Sequence, residues 1–352
     1  MLVIRWLPCF PERTLPAGIH EVPFSYTLPK SLPSSFEGEF GHIRYTCKAI
    51  CERPWDFDIV TRKAFTVIGI EDINSDAKLN EPTTFCESNQ SVTFCCRSSG
   101  SVSGEIRVPK IGYTPGEKID VSYKVTNNSS KNRQISIRFN QTTTYRAKTF
   151  AGSEHIKNVS RSILKIEKGE CAARSSIDWQ KESLTIPSLP PKLGKCKILS
   201  VAYSVELDVD QTLTVPCNIV IGSIPQLSQL LIHSKQSTGN SGNSVTNGSL
   251  APKSSIKDSP PRIEDNSCVQ ISITDECGQT VEEELGNEME ALLSSRKRVR
   301  MPSSILSELY PTMPSPYYKE SFFGSSDISE EKEQAQFGET QFAPKYPFYT
   351  DE

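Results

Sequence analysis

The sequence predicts an all-β protein: two tandem β-sandwiches followed by a largely disordered tail. Three observations carry that expectation. Apolar residues recur at every second position over several stretches, as they do in strands that bury one face. Clusters of turn-forming residues punctuate those stretches at short intervals. From Ser234 onward the composition shifts to Ser, Asn, Gly, Lys and Pro, a mixture that cannot bury enough apolar surface to fold.

Taken in order, residues 1–96 read as a first domain. Segments 24–28, 43–51, 65–70 and 91–96 are strand-like, and in the second of them Ile43, Tyr45, Cys47 and Ala49 alternate with Arg44, Thr46 and Lys48. Arg97-Ser98-Ser99-Gly100-Ser101 is small and polar, and 97–102 is read as a linker. The second domain, 103–231, has the clearest pattern. Ile119, Val121, Tyr123 and Val125 share one strand face, Ile135, Ile137 and Phe139 another, and Leu199, Val201, Tyr203, Val205, Leu207 and Val209 a third. Tyr113-Thr114-Pro115-Gly116, Asn127-Asn128-Ser129-Ser130 and Pro187-Ser188-Leu189-Pro190-Pro191 separate them with turn chemistry. The tail is read as 232–352. Within it Val269, Ile271 and Ile273 form a short strand or an isolated apolar patch, and 281–300 reads as a helix. That helix has acidic residues at its start and Arg296, Lys297, Arg298 and Arg300 at its end, as the helix dipole favours. The basic cluster fits a solvated helix terminus, a nuclear signal or an anionic-membrane patch.

Composition narrows the function classes. A formal charge of -3 gives no electrostatic case for nucleic acid. No apolar run approaches the roughly 18 residues of a membrane span. The N-terminal Leu2-Val3-Ile4 is too short for a signal-peptide core, so a cytoplasmic location is expected. Eleven cysteines, an odd number, then read as reduced thiols rather than a disulfide framework. No ligand spacing calls for a metal, and no phosphate loop or dinucleotide fingerprint calls for a cofactor. His20, His42, His155 and His233 stand beside no nucleophile motif. The close carboxylates Glu37, Glu39, Asp56 and Asp58 read as solvated faces or turns, so no catalytic residue is proposed.

Several short motifs, in order, resemble a known family. Arg107-Val108-Pro109, Tyr113-Thr114-Pro115-Gly116-Glu117, Ile186-Pro187-Ser188-Leu189-Pro190-Pro191, Cys196-Lys197-Ile198-Leu199 and Ile221-Gly222-Ser223-Ile224-Pro225 are similar to the C-terminal arrestin domain of α-arrestins. Leu15-Pro16-Ala17-Gly18-Ile19-His20, Ser35-Phe36-Glu37-Gly38, Gly41-His42-Ile43-Arg44-Tyr45 and Arg53-Pro54-Trp55 resemble the second half of the N-terminal one. Relative to the family the chain reads as truncated, since the opening strands of that lobe are missing. The basic residues with which arrestins read phosphorylated tails therefore match no position here. The resemblance implies immunoglobulin-like sandwiches and a non-enzymatic cytoplasmic adaptor, at endosomes or the plasma membrane, with membrane-protein cargo and WW-domain ubiquitin ligases as partners. The alternative it leaves is an endosomal trafficking scaffold of arrestin fold that recruits no ligase. Family tails supply Pro-Pro-x-Tyr to WW domains, which clasp prolines in the polyproline conformation. Here Pro316 with Tyr318, and Pro347 with Tyr349, keep the second proline and the tyrosine, and the first proline is absent from both.

Overall fold

The computed structural model describes residues 28–53, 55–93, 97–227, 316–329 and 337–349, with Gly18, Ile19, Tyr26, Tyr310 and Met313 as isolated positions. The chain divides into two units. One, 1–28 with 241–311, falls almost wholly outside the described residues; the other, 29–240 with 312–352, holds everything described below. The expected strand at 269–273, the helix at 281–300 and most of the strand at 24–28 lie outside the described residues.

In chain order the strands are β1 (Phe36–Gly38), β2 (Gly41–Ile43), β3 (Tyr45–Cys51), β4 (Ile59–Phe65), β5 (Thr83–Thr93) and β6 (Arg97–Val108). Next come β7 (Gly112–Tyr113), β8 (Lys118–Asn127), β9 (Arg133–Lys148), β10 (Glu154–Cys171), β11 (Ser175–Thr185), β12 (Leu199–Val209) and β13 (Leu213–Ile221). The tail adds β14 (Tyr317–Glu320), β15 (Ser326–Asp327), β16 (Phe337–Gly338), β17 (Gln341–Phe342) and β18 (Lys345–Phe348). Two short 3-10 turns, Ile73–Ser75 and Ala77–Asn80, lie between β4 and β5. Among the described residues no helix is long and apolar enough to cross a membrane.

A five-stranded sheet ordered β10-β9-β12-β13-β7 packs on a four-stranded sheet ordered β11-β8-β6-β5. The alternating residues meet between them as expected: Ile119, Val121 and Val125 of β8, Ile135, Ile137 and Phe139 of β9, and Val205, Leu207 and Val209 of β12 are all buried in one cluster. β12 is paired on both sides, Val205 lying opposite Phe139 of β9 and Cys217 of β13, so its inward face has sheet on either flank. Gly104 of β6 lets the two sheets approach, because a Cβ there would sit 2.9 Å from Val215 Cγ2. The turn after β8 is fixed by Asn127, fully buried, whose amide donates to the carbonyls of Lys131 and Ala172 and whose Oδ1 accepts from the Ser129 N–H.

Three expectations require correction. The 97–102 segment is no linker: it opens β6, paired antiparallel with β5 in a register running from Thr83 opposite Val108 to Thr93 opposite Arg97. A run of Ser and Gly looks like a spacer in isolation, but here its backbone is committed to a ladder, and β5, assigned to the first domain, belongs to the second sandwich. The strand expected at 65–70 ends where it was thought to begin, since β4 stops at Phe65. Beyond it the extended backbone bonds to irregular partners, Val67 N–H to Ser35 Oγ and Gly69 N–H to Ser34 Oγ. The tail is the third. From Pro316 to Tyr349 its described residues are built onto the body as β14 to β18 rather than lying free.

The reason for that last difference is burial. Among the described residues up to 82 are a β1–β2 hairpin and β3–β4, with Ile50 of β3 and Trp55 and Phe57 of the β3–β4 loop exposed. β16 adds in parallel to the edge of β4, with Phe337 opposite Thr61. Ile328 and Phe342 close over Ala64. Tail residues thus cover part of β4, which burial of apolar surface favours.

The outermost strands are irregular. β10, 18 residues long, shifts register against β9 between Ser162 and Leu164 and again between Glu167 and Gly169. β11 does so against β8 between Trp179 and Glu182.

Two tests follow from this packing. Tyr203 is buried, donates to Pro190 O at 2.7 Å and accepts from the Gln141 amide at 3.0 Å, so Tyr203→Asp should cost several kcal/mol or abolish cooperative unfolding. Ser204→Asp, on the other face, should stay within about 1 kcal/mol of the parent in denaturant unfolding, and equal losses would mean the register is inverted. Asn127→Ala should cost about 2 kcal/mol by stranding buried backbone groups, whereas Asn128→Ala, at an exposed position, should be nearly neutral.

Candidate functional site

The four tail residues singled out in the sequence come together. β14 and β18 form an antiparallel ribbon with Tyr317 opposite Phe348 and Tyr318 opposite Pro347, so the two Pro-x-Tyr segments lie side by side. Proline has no N–H to give a ladder and is tolerated in strands only at an edge, which is where a two-stranded ribbon puts it. The two segments differ in environment. Tyr317 and Tyr318 are exposed, at 67% and 56%, whereas Tyr346 is 1% and Phe348 8% exposed.

What buries the second segment is a cleft assembled from three parts of the body. The first is the turn between β7 and β8. Thr114-Pro115-Gly116-Glu117 closes with Glu117 N–H to Thr114 O at 3.2 Å, and Gly116 takes φ +98, the left-handed conformation that glycine adopts without penalty. Its ends are pinned. Gly116 N–H donates to Ile186 O and Ile186 N–H returns to Glu117 O, both at 2.9 Å. The Glu117 carboxylate accepts from Thr114 Oγ1 and pairs with buried Lys110 at 2.6 Å. Tyr349 N–H then donates to Pro115 O at 2.9 Å, and a Cβ on Gly116 would fall 1.7 Å from Tyr349 O. Only a residue without a side chain lets the tail lie this close.

The second part is Ser35, fully buried, whose carbonyl accepts from the Tyr346 hydroxyl at 3.0 Å. The third is Ser223, where the exits of the two halves of the body meet. Ser223 Oγ donates to Gly69 O at 2.8 Å and accepts from Glu71 N–H at 2.9 Å, while Ser223 N–H donates to Glu71 O at 2.9 Å. Its carbonyl accepts from the Tyr349 hydroxyl at 2.9 Å. Asp72 and Ile224 continue the contact as a parallel bridge. On the far side Ser188 Oγ donates to Lys319 O at 2.9 Å and Ser188 O accepts from Phe322 N–H at 2.8 Å.

Burial sets the electrostatics here. It pushes the Tyr349 hydroxyl well above the ordinary tyrosine range, with Tyr318 and Glu117 adding to the effect. Burial raises Tyr346 likewise, helped by Tyr203 and Glu37. Both therefore remain protonated donors at neutral pH. Burial also raises the Glu71 carboxyl, against the opposing pull of the Gly194 N–H, Lys195 and Lys192. Lys319 lies over the Phe348 ring at 3.7 Å, one cation at the ribbon's rim.

Three of the close carboxylates noted in the sequence are engaged by arginine residues. Glu37 takes a two-pronged bond from Arg44, Nε at 2.9 Å and Nη2 at 2.8 Å, and Asp56 pairs with Arg53 at 2.8 Å. Asp58 accepts from Arg53 N–H. Cys47 and Cys51 sit on β3, and among the described residues no group of three or more His, Cys, Asp and Glu is placed to hold a metal ion. Sequence reasoning missed Ser35, Ser188, Ser223 and Tyr346 as parts of the site. The Thr-Pro-Gly turn was legible, and Tyr346-Pro347-Phe348 carries an alternating aromatic pair, but a proline mid-run argues against a strand and concealed it.

Comparison with known proteins agrees with this architecture. Residues 10–74 match the family described as "Arrestin (or S-antigen), N-terminal domain", and residues 98–226 match "Arrestin (or S-antigen), C-terminal domain". The chain is 80% identical over 340 residues to Arrestin domain-containing protein 17 of Caenorhabditis elegans, covering 97% of this chain and 78% of that protein. It is 28% identical over 217 residues to Arrestin domain-containing protein 4 of Mus musculus, covering 60% and 50% respectively. It is 27% identical over 217 residues to Arrestin domain-containing protein 1 of Homo sapiens, covering 60% and 48%. The aligned stretch thus spans about half the length of those mammalian relatives. With both domain families matched in order, and a relative alike over nearly its whole length, the chain belongs to the arrestin family, among the α-arrestins.

Proposed function

We propose that this α-arrestin is a non-enzymatic trafficking adaptor of the cytoplasm, working at endosomes or the plasma membrane, that links membrane-protein cargo to WW-domain ubiquitin ligases. The observation that carries the reading is the tail ribbon, in which Pro316 and Tyr318 lie beside Pro347 and Tyr349 on an arrestin body. A WW domain grips proline and tyrosine rings of an extended segment. Each half here lacks the first proline of the family motif, which removes apolar burial worth roughly 1 to 2 kcal/mol, about tenfold or more in affinity. Two such halves on one tail recover affinity if the ligase carries tandem WW domains, because the second contact forms at an effective concentration on the order of millimolar. The body's sandwiches are left to read cargo.

One feature favours a second reading. Pro347, Phe348 and the Tyr349 hydroxyl are already engaged by the body, as suits an endosomal transport scaffold in which the tail serves the fold alone.

A free peptide covering 310–352, titrated against a tandem WW array, separates the two. Binding should fall sharply when Tyr318→Ala and Tyr349→Ala are combined, and only partly with either alone. A parent peptide that does not bind, or a double variant that binds as well as the parent, leaves the scaffold reading in place.

A further inference from the structure

We propose that the cleft formed by the Thr114–Glu117 turn, Ser35 and Ser223 is a recognition site for an extended Tyr-Pro-aromatic-Tyr segment, that β18 and Tyr349 are its resident ligand, and that an outside WW domain must displace them to reach Pro347 and Tyr349. The last clause rests on the ligase-adaptor reading; the first two stand without it.

The cleft has the parts of a peptide site. It offers a main-chain acceptor, Pro115 O, to the Tyr349 N–H, and it offers one buried carbonyl to each tyrosine hydroxyl, Ser35 O to Tyr346 and Ser223 O to Tyr349. Buried carbonyls call for donors, and two tyrosines three residues apart supply one to each. Gly116 provides the close backbone approach, since any side chain at φ +98 would occupy the place of Tyr349 O. Phe348, between them in sequence and buried, adds apolar anchoring, with the Lys319 cation over its ring at 3.7 Å. Backbone bonding, a glycine floor and alternating pockets are how sheet-like peptide sites combine affinity with selectivity.

Occupancy by the ribbon and capture by a WW domain exclude each other at the second half. A WW domain needs the rings of Pro347 and Tyr349, and in the seated ribbon Pro347 is buried and the Tyr349 hydroxyl is spent on Ser223 O. Tyr318, at the exposed edge, stays available. The seated chain therefore shows one weak half-site and hides the other, and two-point binding must wait for release. When only a fraction of molecules is open, apparent affinity falls by that fraction. Release also withdraws the donor from Ser223, the residue that ties Gly69 and Glu71, so tail capture is felt where the two halves of the body join.

The test uses the full chain and the free 310–352 peptide with a tandem WW array, together with hydrogen exchange over 341–349. The peptide should bind at least tenfold more tightly than the full chain, and 341–349 should be protected in the full chain alone. Phe348→Ala removes a buried anchor without touching either proline or tyrosine. It should abolish that protection and bring the full chain to within about threefold of the peptide, while leaving the peptide's affinity unchanged. Phe342→Ala, which loosens the ribbon from Ala64 instead, is the second variant should the first fail to fold. A labelled 341–350 peptide should then bind the Phe348→Ala chain and not the parent. Unprotected amides at 341–349 in the parent, or no uptake of the labelled peptide by an opened chain, would overturn the cleft. Equal WW affinity of parent chain and peptide with protection intact would overturn the exclusion. If the peptide itself ignores the WW array, the ligase reading fails, and exchange with labelled-peptide binding still decides the cleft.

Discussion

The body of this α-arrestin hangs on the hydrogen bonding of Ser223. Where two sandwich-derived segments leave their sheets, each carries backbone groups that have lost their ladder partners, and such groups cannot be left unpaired when buried. Ser223 answers for both. Its hydroxyl gives to Gly69 O and takes from Glu71 N–H, its own N–H reaches Glu71 O, and its carbonyl is left for Tyr349. The two exits thus become a parallel contact, and the tail finds an acceptor only because that contact exists. A serine suits the position because its hydroxyl both donates and accepts within one small volume.

How much of this could be read from the sequence depends on whether a strand has a wet face and a dry one. β8, β9 and β12 do, and their inward residues were identified individually. β10 has few buried residues along its length, so no period-2 signal marks it, and its existence follows only from pairing with β9. The start of β6, Arg97 to Ser101, is small and polar and reads as a spacer, so its pairing with β5 goes unseen. Even the clear strands hide exceptions. Asp208 belongs to the outward set of β12 yet is 6% exposed, because Arg138 and Thr214 both bond its Oδ1. No alternation pattern encodes a salt bridge between neighbouring strands.

The tail shows the other limit. Its tyrosines stand out in the sequence only as candidates for partner binding and are illegible as a structural element, since the residues that accept them, Ser35, Pro115 and Ser223, lie more than 120 positions away in sequence. Composition judges whether a segment can fold by itself. It says nothing about a segment that folds on someone else's surface, where the apolar area of the host counts as much as its own.

The register shifts in β10 and β11 bear on a different matter, the behaviour of many such molecules together. A long strand at the rim of a sheet offers a row of free backbone groups to any neighbour of matching pitch. β10 is the longest strand described and lies at such a rim, yet its two interruptions break the spacing of those groups. β11 carries its own interruption beside Lys181. Two copies brought edge to edge would find their bonds out of step. The irregular rims make this a sandwich that can be crowded without stacking into a continuous sheet.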